Sequence, residues 1–349
     1  MSLLDQTLTL VRVDSVSGRE GEIAAVVFEK LQSAAHLDVE RIGDNVVAST
    51  RGHHAHRVIV AGHLDTVPGD ASAGAIIGDR VVGLGACDMK GSVAIMLDEA
   101  VRDVARSLEV TWIFYAREEV ARSQSGLLEL AELRPELLAA DAAILAEPTG
   151  GSVEAGCQGT LRIVVTMKGA RAHTARPYTG RNAIHRIGGL ISRVASYQPR
   201  TAVIDGVTFT EQLQVVRVDG GIANNVVPDV ASVTLNHRIA PDRGLDEAAG
   251  AVKDFIGDLL EVGDAFEIGD YAPPAAPSLA NPFIARLVEV SGVPARAKVG
   301  WTDVATFAER DIPAANYGAG DPLLAHRSDE FVTLGELEEF ARVLRKLLQ

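Results

Sequence analysis

Short apolar runs alternate with amphipathic stretches along the first 150 residues. The runs Val58–Ala61, Val110–Tyr115 and Ala142–Ala146 consist almost entirely of apolar side chains. Such runs are typical of strands buried on both faces. Between them, Ser92–Arg106 and Ser125–Leu133 carry apolar residues at helical spacing. Strands that alternate with helices predict an α/β fold in which helices flank a mostly parallel, twisted sheet.

The pattern changes after residue 158. Strand-like and helical segments then follow in the order strand, helix, two strands, helix: Leu161–Lys168, Asn182–Tyr197, Thr208–Asp219, Val230–Ile239 and Leu245–Val262. This order predicts a small α+β domain inserted into the first one, followed by a proline-rich return at Tyr271–Pro277. We therefore predict a discontinuous α/β domain over 1–158 and 271–349, interrupted by an inserted α+β domain over 159–270.

Helices are also predicted at both ends of the chain. The first covers Leu3–Val13 and the last covers Leu334–Leu348. Ser17 and Glu20 have the spacing of a capping box for a second helix, over about 19–35. Two loops, over 52–56 and 69–78, separate later elements. The first is rich in histidine, but no nearby acid or cysteine completes a metal site, so a solvated loop is the favoured interpretation.

Composition and charge narrow the classes of protein and of binding partner that are compatible with the sequence. Of the 349 residues, 47% are hydrophobic and 23% charged, close to an average globular protein, which argues against disorder. The net charge of -14 disfavours nucleic acid and anionic membranes as partners, because both attract basic surfaces. An anionic small substrate stays compatible, since a few arginines can reverse the field inside a cleft.

The two cysteines, Cys87 and Cys157, do not make a disulfide framework, which favours a reducing cytosol. The N-terminus lacks a basic segment followed by a long apolar one, and no stretch has the apolar length of a membrane helix. We therefore expect a soluble cytoplasmic protein.

Residues with metal-binding chemistry follow the predicted buried strands. His63 and Asp65 come directly after the first apolar run, and two residues apart on extended chain they point the same way. In such sheets, ligands bind at the carboxyl ends of the strands. One of the pair can bind a metal while the other orients it.

Further candidates lie at the later strand ends and in a distant loop: Asp88, Glu118, Glu119, Glu147 and His326. Each alone also suits an ordinary role, such as a helix N-cap for Asp88 or a solvated acid pair for Glu118 and Glu119. Together they would converge on one crevice, where so many carboxylates repel one another unless divalent cations are present.

Histidines and carboxylates without cysteine suit Zn²⁺, with Co²⁺ or Mn²⁺ as alternatives. The two histidines with three of the acids make five ligands, which exceed what one catalytic zinc takes from a protein and suit two ions that share a carboxylate. Cys87 is a further soft ligand, but beside Asp88 in an extended turn it would point away, so packing is favoured. The sequence has no HExxH, GxSxG or GxxxxGK[ST] motif, which disfavours other hydrolase types and nucleotide binding.

Seven segments resemble the di-zinc amidohydrolase and exopeptidase family, in order over nearly the whole chain: GHLDTVP (62–68), GLGACDMKG (83–91), REEV (117–120), AEPT (146–149), GARAHTARP (169–177), NNVVP (224–228) and GAGDPLLAHRSDE (318–330). The resemblance is strongest to the actinobacterial members that act on N-succinyl-LL-2,6-diaminopimelate. It implies hydrolysis to succinate and LL-2,6-diaminopimelate, in lysine and diaminopimelate biosynthesis. Deacetylation of acetylornithine, or a broad aminoacylase or metallopeptidase activity, remains open as an alternative within the family.

The resemblance implies that the domain over 1–158 and 271–349 is the catalytic di-metal domain and that the inserted domain over 159–270 is a lid or dimerisation domain. It also implies roles for individual residues. One metal would be held by His63, Asp88 and Glu147, and the other by Asp88, Glu119 and His326. Asp65 would orient His63, and Glu118 would be the general base. His173, on the inserted domain, would help to hold the oxyanion in the active site of the partner subunit of a homodimer.

Substrate contacts are placed by the same resemblance at Arg176, Asn224, Asn225, Arg238, Thr302 and Asp303. Arginine suits bidentate carboxylate binding, and an acid such as Asp303 would meet a free ammonium. Cys87 and Arg117 depart from the small or acidic residues expected there. A catalytically inactive binding protein on this scaffold would lack a ligand or the base, and all are present.

Overall fold

The computed structural model describes residues 1–52, 54–70 and 73–349. The strands in this part of the chain are β1 (Leu37–Ile42), β2 (Asn45–Thr50), β3 (Arg57–His63), β4 (Ala75–Ile77), β5 (Arg80–Val82), β6 (Glu109–Tyr115), β7 (Ala142–Leu145), β8 (Glu154–Cys157), β9 (Gly159–Lys168), β10 (Ala172–His173), β11 (Thr201–Ile204), β12 (Val207–Thr210), β13 (Gln212–Gly220), β14 (Val226–Val227), β15 (Val230–Ile239), β16 (Ala265–Ala272), β17 (Arg296–Lys298), β18 (Ala314–Asn316) and β19 (Phe331–Thr333). The α-helices are α1 (Leu3–Val11), α2 (Gly21–Gln32), α3 (Gly91–Ala100), α4 (Gly126–Leu133), α5 (Ala183–Ala195), α6 (Leu245–Ile256), α7 (Pro282–Ser291), α8 (Val304–Ala308) and α9 (Leu334–Leu347).

The first compact unit contains Met1–Gly156, Pro277–Lys298 and Thr302–Gln349. Its sheet has the strand order β1-β2-β6-β3-β7-β18-β8-β17. The central pairs β6/β3, β3/β7 and β7/β18 are parallel, whereas β1/β2, β2/β6 and β18/β8 are antiparallel. The predicted α/β fold with a mostly parallel central sheet is confirmed.

The core of this unit explains why the central strands are uninterrupted apolar runs. Val58 and Val60 on β3, and Trp112 and Phe114 on β6, are fully buried among helices α1, α2, α3 and α9. Because β3 lies between two parallel strands and is covered by helices, it has no solvent face that would require alternating polar residues. The carboxyl ends of β3, β6 and β7 therefore lie side by side at one edge of a rigid sheet.

The second unit contains Cys157–Ala276 and Val299–Trp301. It is built on an antiparallel sheet with the order β13-β15-β9-β16. Alternate residues of β9, namely Leu161, Ile163, Val165 and Met167, are buried with the apolar faces of α5 and α6. This period of two is typical of a sheet with one covered face, and the prediction of an inserted α+β domain is confirmed as a fold.

Several predicted element boundaries differ from the structure. The capping box is wrong: α2 begins at Gly21 after Glu20, the Glu20 carboxylate accepts the Gly18 and Arg117 N–H groups, and the Ser17 hydroxyl donates to Asp65 instead. Helix α3 ends at Ala100 and does not extend to Arg106, whose guanidinium donates to the Glu99 carbonyl near the end of the helix.

The predicted strand over 208–219 is divided into β12 and β13. Glu211, between them, is fully buried, and its carboxylate accepts hydrogen bonds from Ala240 N–H and from Arg200 and Arg243. The predicted loops over 52–56 and 69–78 include His53, Ala71 and Ser72, which lie outside the described residues. Among the residues that are described, every helix is too short or too polar to cross a membrane.

Candidate metal centre

Three parallel strands deliver the first set of candidate residues. His63 is the last residue of β3 and lies opposite Tyr115, the last residue of β6, in the register of the pair. Glu147 follows two residues after the end of β7, the other neighbour of β3. Side chains that leave the same edge of one sheet are held close together without help from long loops.

Asp88 reaches this edge on the turn over 86–90, which leads into α3. Gly85 opens the turn with φ 80°, a conformation that glycine adopts without strain. The turn packs tightly on β3: a Cβ on Gly62 would lie 2.6 Å from the Met89 methyl carbon. This close approach brings Asp88 Oδ1 to 3.0 Å from His63 Nε2.

Asp65 organises the neighbouring backbone. Its two carboxylate oxygens accept the N–H groups of Glu118 and Glu119, each at 3.0 Å, and Oδ2 also accepts the Ser17 hydroxyl at 2.7 Å. The Asp65 carbonyl oxygen lies 3.0 Å from His63 Nδ1. With Nδ1 occupied in this way, Nε2 is left to bind a metal, an arrangement usual for metal-ligating histidines.

His326 completes the group from a loop, where its backbone has φ 65°. Its Nε2 lies 2.8 Å from Glu119 Oε1 and 3.6 Å from Asp88 Oδ2. One ligand atom each from His63, Asp88 and Glu119 lies within 4.8 Å of the other two. The His63 side chain is 1% exposed and that of His326 is 53% exposed, so the centre opens to solvent on the His326 side.

Glu147 and Glu118 lie at the same centre. Glu147 is buried, and its Oε1 has no hydrogen-bond partner among the described residues. The ammonium of Lys298 lies 2.9 Å from the Glu154 carboxylate. Although burial lowers the pKa of Lys298, the carboxylates of Glu147 and Glu154 raise it. One ammonium therefore faces several carboxylates.

The carboxyl groups titrate as a repelling cluster. Burial and the nearby Asp88 carboxylate raise the pKa of Glu147 to about 7. Burial, together with Glu147, raises the pKa of Glu118 well above its ordinary value. Burial acts against ionisation of Asp88 too, but the hydrogen bond and charge of His63 lower its pKa. The pKa values of Glu147 and Glu118 are raised because the centre holds many carboxyl groups and little positive charge.

The donor set fits divalent cations. Imidazole nitrogens and carboxylate oxygens converge without a thiolate, since Cys87 is buried and its Sγ contacts the Asp321 carbonyl at 3.2 Å. The unpaired Glu147 oxygen and the raised carboxyl pKa values both indicate that a positive charge belongs here.

Within the second unit, the candidate substrate residues form two separate groups. His173 on β10 pairs with Val226 on β14, and the Thr174 N–H donates to the Asn225 carbonyl at 3.1 Å, so His173, Arg176, Asn224 and Asn225 share one end of the unit. Arg238 lies near the far end of β15. From Val230 to Arg238 an extended strand covers about 26 Å, so the structure does not bring Arg238 to His173.

Thr302 and Asp303 belong to the first unit and are buried, at 4% and 1% exposure.

Sequence reasoning missed Ser17, Tyr115, Glu154 and Lys298 at this site. Ser17 and Lys298 carry no signal in a single sequence, because their contacts join segments far apart in the chain. Tyr115 carried one: it ends a buried strand whose neighbour ends in His63.

Comparison with known proteins places the chain among metal-dependent hydrolases. The sequence model of "Peptidase family M20/M25/M40" matches residues 59–349. A Mycobacterium tuberculosis protein named as a candidate succinyl-diaminopimelate desuccinylase, DapE, is 44% identical over 99% of this chain and 97% of its own length. A succinyl-diaminopimelate desuccinylase of Corynebacterium glutamicum is 41% identical over 98% and 95%.

Solved structures share the fold at low identity. Aminopeptidase PepT from Bacillus cereus superposes with a TM-score of 0.79 at 18% identity, covering 99% of this chain and 97% of that one. The Bacillus subtilis YXEP protein, described as a dinuclear metal binding peptidase from the M20 family, gives 0.74 at 18% identity, covering 99% and 96%.

Proposed function

This chain belongs to the M20/M25/M40 peptidase family, and we propose that it hydrolyses N-succinyl-LL-2,6-diaminopimelate to succinate and LL-2,6-diaminopimelate. Two relatives above 40% identity over almost their whole length carry the corresponding name. The observation that carries the proposal is the convergence of His63, Asp88, Glu119 and His326 on one point.

The cofactor in this proposal is a pair of divalent cations, Zn²⁺ in the first place and Co²⁺ or Mn²⁺ otherwise. His63, Asp88 and Glu147 would hold one ion, and Asp88, Glu119 and His326 the other, with Asp88 shared. When bound, such ions polarise a carbonyl oxygen and lower the pKa of water. The contact of Asp88 with both histidines, through different carboxylate oxygens, supports its shared role.

Glu118 is the residue that moves the proton. Its main chain is fixed by Asp65, and its neighbour Glu119 is fixed by the other Asp65 oxygen, so the two side chains leave the backbone in set directions. Glu118 takes a proton from the attacking water and returns it to the leaving amine. His173 donates a hydrogen bond to the oxyanion formed at the scissile carbonyl.

The substrate carries several carboxylates, which Arg238 and Arg176 would bind, with Asn224 and Asn225 as further donors. Arg238 is half-buried, and burial beside Arg162 lowers its pKa, which indicates a guanidinium that lacks a counter-charge. A carboxylate of the substrate would supply that charge.

We also propose a homodimer, because the two groups of substrate residues lie at opposite ends of β15. A single small substrate does not span about 26 Å, so His173 and its neighbours would serve the partner subunit. The edge strand β13 and helix α5 offer a surface for this, with Val216, Val218 and Ile184 exposed.

The test is a substrate panel on metal-stripped protein, before and after addition of Zn²⁺ or Co²⁺. We expect turnover of N-succinyl-LL-2,6-diaminopimelate to require metal and to exceed that of N-acetylornithine and dipeptides. An Asp88→Asn variant, which removes the shared ligand, should remain inactive with either ion. Higher kcat/KM on N-acetylornithine or a dipeptide would contradict the substrate, and full activity after metal stripping would contradict the mechanism.

A further inference from the structure

Arg117 has no part in the proposed reaction, although it directly precedes Glu118 and Glu119. It lies at a position where the family resemblance predicts a small or acidic residue. Its backbone has φ 62°, in the left-handed region that residues other than glycine rarely adopt. A side chain of unexpected type, on backbone of an uncommon conformation beside a functional pair, calls for a physical explanation.

Residues 116–119, which follow β6 and which we call the glutamate turn, donate all four of their N–H groups to side-chain oxygens. The acceptors lie at 3.0 to 3.1 Å and are, in chain order, Asn45 Oδ1 for Ala116, Glu20 Oε1 for Arg117, and the two Asp65 oxygens for Glu118 and Glu119. A strand or helix would use its own main chain instead. The position of the glutamate turn therefore depends on how these side chains are held.

The Arg117 side chain ties the glutamate turn to helix α4. Its Nε donates to the Gln124 carbonyl at 2.6 Å, and its Nη2 donates to the carboxylate of Glu129 on α4. Glu129 also accepts a hydrogen bond from Asn45 Nδ2 at 3.0 Å. One carboxylate therefore joins the arginine to the residue that holds the start of the turn. Because a guanidinium is planar and donates in fixed directions, two acceptors define its orientation.

We propose that Arg117 is a positioning residue for Glu118 and Glu119. Its N–H is held by Glu20 and its guanidinium by α4, so both ends of the residue maintain the left-handed conformation. In that conformation the next two N–H groups meet Asp65. Loss of the guanidinium frees the glutamate turn, and the proposed ligand and base then lose their set directions. This inference rests on the metal centre and base of the proposed function.

Hydrogen exchange of the metal-free protein tests this role without metal or substrate. Wild type, Arg117→Asn and Arg117→Lys are compared by mass spectrometry of peptides that cover the glutamate turn. Asparagine tolerates the left-handed conformation but is too short to reach α4, whereas lysine keeps a cation for one of the two acceptors. We expect exchange at least tenfold faster than wild type in Arg117→Asn and an intermediate rate in Arg117→Lys, because local opening no longer breaks the guanidinium contacts.

Cobalt binding measures the consequence at the metal centre. The metal-free proteins are titrated with Co²⁺ and followed by calorimetry and visible absorption. We expect Arg117→Asn to bind Co²⁺ about tenfold more weakly and with an altered spectrum, as is usual when a residue behind a metal ligand is removed. Glu129→Ala removes an acceptor of the guanidinium and should act in the same direction. The double variant should be no weaker than the weaker single one, because both changes break one connection.

Arg57→Asn is the matched control. Arg57 is the first residue of β3 and donates to Glu109, the first residue of β6, so it forms a similar ion pair at the other end of the same strands. The control should change neither exchange of the glutamate turn nor Co²⁺ binding. Wild-type exchange in Arg117→Asn would overturn the proposal. So would a lower melting temperature combined with a wild-type Co²⁺ spectrum, which would show a merely stabilising role. If Arg117→Asn fails to fold, Arg117→Lys and Glu129→Ala decide the matter by the same measurements.

The two measurements also separate this inference from the proposed function. If wild-type protein binds Co²⁺ but hydrolyses none of the amides tested, the proposed function fails, while exchange and Co²⁺ binding still confirm or overturn the role of Arg117. If wild-type protein binds no Co²⁺, the metal centre and the role of Arg117 beside it are both overturned.

Discussion

Glu118 and Glu119 are adjacent in sequence, and we propose different roles for them at the centre. Glu119 Oε1 contacts His326, whereas Glu118 lies among buried carboxyl groups. Their N–H groups donate to different oxygens of the same carboxylate, that of Asp65. A glutamate pair can therefore supply one metal ligand and one base from a single turn of chain.

Replacement of Glu118 by Gln should abolish most turnover and leave the metal in place. Glutamine has the same shape but cannot take a proton, and general-base catalysis contributes about a hundredfold or more. We expect kcat to fall by at least that factor, with metal content by elemental analysis unchanged. Glu132→Gln, on the exposed face of α4, is the control. Turnover near the wild-type value in Glu118→Gln would remove Glu118 from the role of base.

Arg238 is the residue that we expect to bind a carboxylate on the acyl group of the substrate. Arg238→Ala should raise KM about tenfold or more for a substrate with a carboxylate on its acyl chain, because a charge-assisted bond contributes about 1.5–3 kcal/mol. An N-acetyl substrate should be affected much less. Lys253→Ala, which removes an exposed cation from α6 of the same unit, should change neither value. Equal effects on both substrates would argue against a carboxylate contact.

At the scale of elements, the carboxylate of Asp264 connects three elements of the second unit through hydrogen bonds. Asp264 accepts the Lys168 and Glu261 N–H groups and both terminal nitrogens of Arg186, linking the end of β9, the start of β16 and helix α5. Its side chain is 1% exposed. Although burial opposes ionisation, the Arg186 hydrogen bonds lower the pKa of Asp264 to about 2.

The hydrogen bonds of Asp264 predict that the stability of the protein depends on pH. Because the folded pKa lies below the ordinary value of 3.8, its contribution is complete above about pH 4 and is lost as the pH falls toward 2. Allowing for solvent screening, the advantage of wild type over Asp264→Asn should shrink by about 1 kcal/mol between pH 5 and pH 3. Urea unfolding at both values measures it. The control Asp254→Asn, at an exposed position, should show no such trend. If the difference in free energy of unfolding between wild type and Asp264→Asn is the same at both pH values, the stabilising role of Asp264 is refuted.

The sequence predicted these elements better than their contacts. Apolar runs located β3, β6 and β7 because burial on both faces leaves a clear pattern, and the strand-end rule then pointed to His63 and Glu147. The partners of Asp65 and of Lys298 were not predictable, since hydrogen bonds between distant segments leave no periodicity. Glu20 shows the same limit. Its spacing from Ser17 favoured a capping box, but in the structure Ser17 donates to Asp65 and Glu20 accepts the Arg117 N–H.

At the scale of the whole molecule, the proposed dimer makes a prediction about mixed subunits. Glu118→Gln and His173→Ala should each be inactive alone, since one lacks the base and the other the oxyanion donor. Co-expressed, they form hybrid dimers in which one site combines an intact Glu118 with an intact His173 from the other chain. Random pairing should restore on the order of a quarter of wild-type activity.

The control for this experiment mixes Glu118→Gln with Asp88→Asn. Both changes affect the same site, so no pairing restores a complete centre and activity should stay absent. Recovery in this control, or no recovery with His173→Ala, would contradict a site shared between subunits. Size-exclusion chromatography of each variant verifies that the dimer is intact.

The grip of Asp65 on two consecutive amide groups has a consequence for protein engineering. Since one carboxylate accepts the N–H groups of both Glu118 and Glu119, a change at Asp65 is expected to disturb the proposed metal ligand and the proposed base at once. Attempts to retune substrate choice should therefore leave this stretch untouched. Among the described residues, those of the second unit make no hydrogen bond with Asp65, and substitutions there are the better route to a changed specificity.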